Sequence, residues 1–211
     1  MREKIGPFRA PELLVVVVTL AILAALTLYR LAKFRATASH VQCANNLKNV
    51  GAAFLLFAHD HHDLLPFQIS TNSGGVRELS SDIVANFSIL SNELVVPVLL
   101  TCPARKMPIF PATNWHHLSA SNIGFFVGLT GRATNPISIL GGDSDFLIDG
   151  APSPGKVEVR PTQRFTYPLN LHTDARPASL LWADGRVEYF DAMKIRADLS
   201  IAQTTNVFLS P

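Results

Sequence analysis

Charge is scarce in this chain. Only 16% of its residues are Asp, Glu, Lys or Arg, against 48% hydrophobic, a low charged share for a soluble domain. The balance is close to neutral, with 18 basic and 16 acidic residues and a formal net charge of +2. No basic stripe runs along the chain, so nucleic acid is not an expected partner. Catalytic signatures are missing as well. There is no P-loop, dinucleotide fingerprint, HExxH or Gly-x-Ser-x-Gly elbow, which removes the usual marks of nucleotide, zinc-protease and serine-hydrolase chemistry. Cysteine is nearly absent. Cys43 and Cys102 can form one disulfide at most, if the domain lies outside the cytoplasm, and can equally be two small buried thiols.

What the chain does have is one long apolar run. From Leu13 to Tyr29 no residue carries a charge, enough helix to cross about 25 Å of hydrocarbon. Basic residues flank it on both sides, Arg2, Lys4 and Arg9 before it and Arg30, Lys33 and Arg35 after it. This symmetry leaves the positive-inside rule without a direction. A cleaved signal peptide would end in small residues, whereas this run ends in Leu28-Tyr29-Arg30-Leu31. The run therefore reads as a single-pass anchor in a lipid bilayer.

The helix is expected to continue past the membrane. No proline falls between Tyr29 and Ala58. Apolar residues recur at Leu31, Phe34, Ala38 and Val41, then at Cys43, Leu47, Val50, Phe54 and Phe57, each set on one helical face. Gln42, Asn46 and Asn49 fall on the opposite side. Beyond it, Leu79–Leu90 reads as a short helix capped by Ser80 or Ser81. Val95–Leu100, Ile123–Leu129 and Ser138–Leu140 read as strands, and Gly141-Gly142-Asp143 as a turn. The stretch 150–162 reads as loop with a short strand at Val157–Val159, and Asp191–Ala202 as a closing helix.

The clearest local signal is SLLWADGRVEYF. A two-residue Asp184-Gly185 turn would place Trp182 opposite Val187 and Leu180 opposite Tyr189, all four on one face. The second half of the long helix is the expected cover. The fold class is α+β, a long N-terminal helix, membrane-spanning in its first half, packed on a small antiparallel sheet with one covered face.

Taken together, these residues resemble type IV pilin-like proteins, in particular the pseudopilins of type II secretion with a prepilin-type N-terminal cleavage and methylation segment. Phe8-Arg9-Ala10-Pro11-Glu12 places a glutamate fifth when Phe8 is first. CANNLKNVGAAFLLFAHDHHDLLP, SNIGFFVGL, NPISILGGD and LLWADGRVEYF extend the likeness over nearly the whole chain. Two positions depart from the pattern: Pro7 stands where the family has glycine, with Gly6 one place early, and Arg9 adds a charge.

The resemblance implies a pilin-like fold with a leader-like segment over 1–7 and a transmembrane helix over 8–30. Its extramembrane continuation covers 31–59, and an α+β domain covers 60–211. It further implies a non-catalytic structural subunit in a bacterial inner membrane, its C-terminal domain extracytoplasmic. The implied partners are the bilayer, copies of itself or other pilin-like subunits, and a prepilin peptidase acting between Pro7 and Phe8. In that picture Glu12 meets the amino terminus of a neighbouring subunit at membrane depth. The other reading of Glu12 is a first-turn carboxylate at the membrane interface. No cofactor is implied for the core function.

Two metal readings remain beside it. His59, His61, His62 and Asp63 could hold zinc in a membrane-tethered metal- or ligand-binding domain, or simply form a helix exit. Asp143, Asp145 and Asp149 could contribute to a calcium loop of the kind some pseudopilins carry, although their spacing is not that of an EF-hand. His116 and His117 read as surface residues. His172, Asp174 and Ser179 could be drawn as a nucleophilic set, but no elbow motif supports it.

Overall fold

The computed structural model describes residues 10–168, 171–172, 177–190 and 205–211. One helix, α1, runs without interruption from Ala10 to Asp60. The chain divides into two compact units, Met1–Ala38 and Ser39–Pro211. In the first, every large apolar side chain from Leu13 to Phe34 is at least 47% exposed. Among the described residues, this is the one helix long and apolar enough to cross a membrane.

The second unit is α+β. Its short helices are α2 (Ile83–Ser88) and α3 (Ser91–Leu94). Among the described residues nine strands follow: β1 (Phe125–Gly128), β2 (Ile139–Asp143), β3 (Leu147–Ile148), β4 (Ala151–Pro152), β5 (Gly155–Val159), β6 (Phe165–Thr166), β7 (Ser179–Trp182), β8 (Val187–Tyr189) and β9 (Asn206–Ser210). Six form an antiparallel sheet in the order β5-β9-β1-β2-β7-β8, and three form a smaller sheet in the order β4-β3-β6. The expected Asp191–Ala202 helix lies outside the described residues.

The apolar stripe of α1 explains one layer. Cys43, Leu47, Val50, Ala53, Phe54, Phe57 and Ala58 are buried against Phe125, Val127, Leu140, Leu181 and Leu209 of the large sheet. Gly51 belongs to the same seam: a Cβ there would stand 2.5 Å from Leu181 Cδ1. The sheet's other face is also buried. Phe126, Ile139, Leu180, Trp182 and Phe208 pack with Phe146, Ile148 and Phe165 in a second cluster. The expectation of a single covered face is thus corrected, because the β3–β4–β6 region supplies a third layer.

The hairpin explains why that second face looked like the first. Observed partners are Ser179 with Tyr189, Leu180 with Glu188 and Leu181 with Val187. Trp182 N–H donates to Arg186 O and Gly185 N–H to Trp182 O, so the loop holds Ala183, Asp184 and Gly185, with Gly185 at φ 82°. A three-residue loop shifts the register by one, and a shift by one exchanges faces. Leu181 and Val187 therefore meet the α1 layer, while Leu180 and Trp182 face away from it. Arg186 shares the Trp182 face and stacks on the indole at 4.9 Å.

Other local expectations are corrected for identifiable reasons. Val95–Leu100 is not a strand: Pro97 opens a 3-10 turn, Pro97–Leu100, directly after α3. The Leu79–Leu90 helix starts later, capped by Asp82, whose Oδ1 accepts from the Val84 and Ala85 N–H groups. Gly141-Gly142-Asp143 is no turn but the end of β2. A Cβ on Gly142 would stand 2.7 Å from both Leu180 Cδ2 and Phe126 Cε1, so glycine here serves close packing. The 150–162 stretch holds β4 and the full five-residue β5, which pairs along its length with β9.

Candidate functional site

The features singled out in the sequence fall into three places. The first is the N-terminal part of α1. Phe8, Gly6 and Pro7 lie outside the described residues, and Glu12 is described only as part of the helix. Pro11 sits in the first turn, where a missing N–H leaves no helical bond unmade.

The second is the end of α1. His61 is tied to the helix it follows: its Nδ1 lies 2.8 Å from Phe57 O, and its ring stacks on Phe57 at 4.0 Å. His62 and Asp63 adopt φ of 57° and 60°, and Asp63 N–H donates to Ala58 O at 2.8 Å. This is a left-handed helix terminus that satisfies the last carbonyls. The ligand atoms of His59, His61, His62 and Asp63 do not converge, so the structure does not assemble the zinc set drawn from their spacing. His116 and His117 form an exposed 3-10 turn, Trp115–His117.

The third place is the interior, where sequence reasoning saw least. Cys43 of α1 and Cys102 are joined in a disulfide. The closed loop is long enough to remove about 4 kcal/mol of unfolded-chain entropy. Around it lies a buried polar group drawn from five segments. His172 Nε2 is 3.6 Å from Cys102 Sγ and 3.5 Å from Asp143 Oδ2. The Ser179 N–H donates to Asp143 Oδ2 at 2.7 Å, and Tyr167 OH donates to Asp143 O at 2.7 Å. His40, one turn before Cys43, packs edge-on to His172 with centroids 4.9 Å apart, and its Nε2 donates to Pro177 O, 3.0 Å away. Arg105 bonds Ser144 and Asp145, and its backbone bridges His172.

Asp143 is fully enclosed, and burial raises its carboxyl pKa. The charges of His172, Arg105 and His40 and the Ser179 N–H oppose that rise without cancelling it. Tyr167 is pushed well above the ordinary phenol value, first by burial and then by Asp143 and Asp145, and stays a donor. The three carboxylates read as a calcium cluster turn to different partners, Asp149 accepting from the Arg164 N–H and the Gln163 amide. Asp143 points into the core toward His172, and Asp145 pairs with Arg105. Ser179 and His172 do come together, through Asp143; Asp174 lies outside the described residues. Yet Ser179 is 0% exposed, which leaves its hydroxyl no open side for a substrate.

Asn46 is a further correction. Expected on the polar side of α1, it is buried and donates to Thr101 O at 2.8 Å. Its position three residues after Cys43 was the available signal, since that spacing shares a face. His40, three residues before Cys43, carried the same signal. Close to this group a cleft of about 430 Å³ is lined, among the described residues, by Arg105, Lys106, Met107, Asp145, Pro168 and Leu171.

No family model, no curated protein and no solved structure matches this chain.

Proposed function

We propose that the chain is a membrane-anchored, pilin-like structural subunit that acts by assembling through its N-terminal helix rather than by catalysis. The observation that carries this reading is the division of α1. One uninterrupted helix is apolar and exposed on all sides in its first half, and buries a single stripe in its second. An exposed apolar surface of that extent is stable in lipid or against other helices, not in water. The disulfide supports an oxidising location for the folded domain, which fits an extracytoplasmic domain on a bacterial inner membrane. On this reading the partners are the bilayer, like subunits and a prepilin peptidase, and the system served is of the type II secretion or type IV pilus kind.

Glu12 is the residue on which assembly turns. A carboxylate at membrane depth is costly unless paired, so a charge pair formed only between neighbouring subunits rewards the correct stagger. Glu12→Gln is expected to leave insertion and the folded domain intact while lowering the yield of crosslinked oligomers several-fold. Mass spectrometry of the mature amino terminus accompanies the test. A chain beginning at Phe8 whose oligomers are unchanged by Glu12→Gln contradicts the pairing. A chain beginning at Met1 moves the amine seven residues outward and leaves an anchor without that contact.

A further inference from the structure

We propose that the residues around the disulfide form a metal site in the dithiol state of the protein, with Cys43, Cys102, His172 and Asp143 as ligands to one zinc-class divalent ion. Among the described residues, Cys43, Cys102 and His172 are the one group whose three ligand atoms lie within 4.8 Å of one another, and all three are buried. Of the five ligand–ligand edges other than the one between the sulfurs, two already have tetrahedral size, and Asp143, which lies outside the 4.8 Å group, has to close on the sulfurs. Zinc–sulfur and zinc–nitrogen bond lengths imply a sulfur–nitrogen edge of about 3.6 Å and a nitrogen–oxygen edge of about 3.4 Å. Cys102 Sγ to His172 Nε2 is 3.6 Å, and His172 Nε2 to Asp143 Oδ2 is 3.5 Å.

The surroundings hold polar groups that a cation would engage. Asp143 Oδ1 and Ser179 Oγ are buried without a hydrogen-bond partner among the described residues, and a buried carboxylate is costly unless something positive faces it. Two thiolates and one carboxylate around a divalent ion leave one surplus negative charge, which Arg105 offsets. Its electrostatic influence reaches Asp143. The cleft lined by Arg105 and Leu171 brings solvent to the residue preceding His172.

The metal and the disulfide are alternatives. In the dithiol state, which is how the chain is synthesised, metal binding displaces the two thiol protons. Oxidation by an external disulfide takes two electrons from the two sulfurs, joins them and releases the ion. The external disulfide takes up those electrons with two protons and leaves as a dithiol. The His59, His61 and His62 segment has no part in this site.

The test uses the full chain in detergent micelles, reduced with a phosphine and desalted without oxygen. The phosphine becomes its oxide, with water supplying the oxygen and the two thiol protons. Cobalt(II) is the probe. The expected result is one cobalt per reduced chain with sulfur-to-cobalt charge-transfer absorption, and none in the oxidised chain. His172→Ala and Asp143→Asn should each weaken binding at least tenfold, and the triple alanine variant of His59, His61 and His62 should leave it unchanged. A reduced wild-type chain without the thiolate band overturns the proposal, and so does wild-type affinity in a folded His172→Ala. If neither core variant folds by circular dichroism, X-ray absorption of zinc in the reduced wild type decides. Two sulfurs and an imidazole in the shell support the site, and a shell without sulfur refutes it.

Discussion

Between Leu13 and Phe34, α1 presents large apolar side chains in every direction. Between Cys43 and Ala58 it buries one stripe and leaves Lys48, Asn49 and Leu56 exposed. Backbone geometry is the same in both, so the difference lies entirely in what solvates each segment. The first has a composition that water does not accommodate. The second is built to leave water on one side only. Hydrophobicity alone does not separate the two, but periodicity does.

The largest effect should come from breaking the second segment. Phe54 is 1% exposed and meets Phe67 and Phe87, so Phe54→Ala should cost the domain about 3–5 kcal/mol. Urea unfolding followed by the fluorescence of buried Trp182 measures it. Leu20, 59% exposed in the first segment, is the matched control. Leu20→Ala should leave that unfolding curve unmoved, and a comparable loss would mean that the anchor belongs to the domain's core.

A finer contrast lies within the second segment. Asn46→Ala removes a buried donor and leaves Thr101 O unpaired, which should cost about 1–2 kcal/mol. Exposed Asn49→Ala should stay within about 0.5 kcal/mol. Equal effects at the two positions would contradict the orientation of the helix on the sheet.

These positions also mark how far the sequence could be read. The stripe through Cys43, Leu47, Val50, Phe54 and Phe57 was legible because five residues obeyed one period, and the exposed run before it was legible by length. The hairpin was legible as a hairpin but not in register. Asp184-Gly185 fits a two-residue turn equally well, and only the positions of Trp182 and Arg186 reveal the third loop residue. Gly141-Gly142 read as a turn because glycine's local meaning is a bend, while its role here is set by Leu180 and Phe126 arriving from elsewhere in the chain. The buried group had no local signature beyond the three-residue spacing of His40 from Cys43. His40, Cys102, Asp143 and His172 meet only because α1 and the sheet bring them together, and no spacing along the chain encodes that.

The smallest effect lies away from α1. Glu78 is exposed, yet its pKa is lowered from 4.5 to about 2, chiefly by the Thr71 N–H, then by its own backbone N–H and the Ser70 hydroxyl. A carboxylate stabilised in the folded state contributes above its unfolded pKa and loses that contribution as pH falls toward the folded value. Glu78→Gln should therefore separate slightly from the wild type near neutral pH, the two curves converging between about pH 4 and pH 2. A difference that grows in acid would reverse the sign and contradict the assignment.

The division of α1 is tested most directly by hydrogen exchange on the full chain in lipid nanodiscs, with urea added stepwise and the two segments followed as separate peptides. The account predicts that amides from Cys43 to Ala58 lose protection together as the domain unfolds. Amides from Leu13 to Tyr29 should stay protected until the lipid is dissolved, because their hydrogen bonds are held by the bilayer. Loss of protection in both segments at the same urea concentration, with the lipid intact, would contradict it.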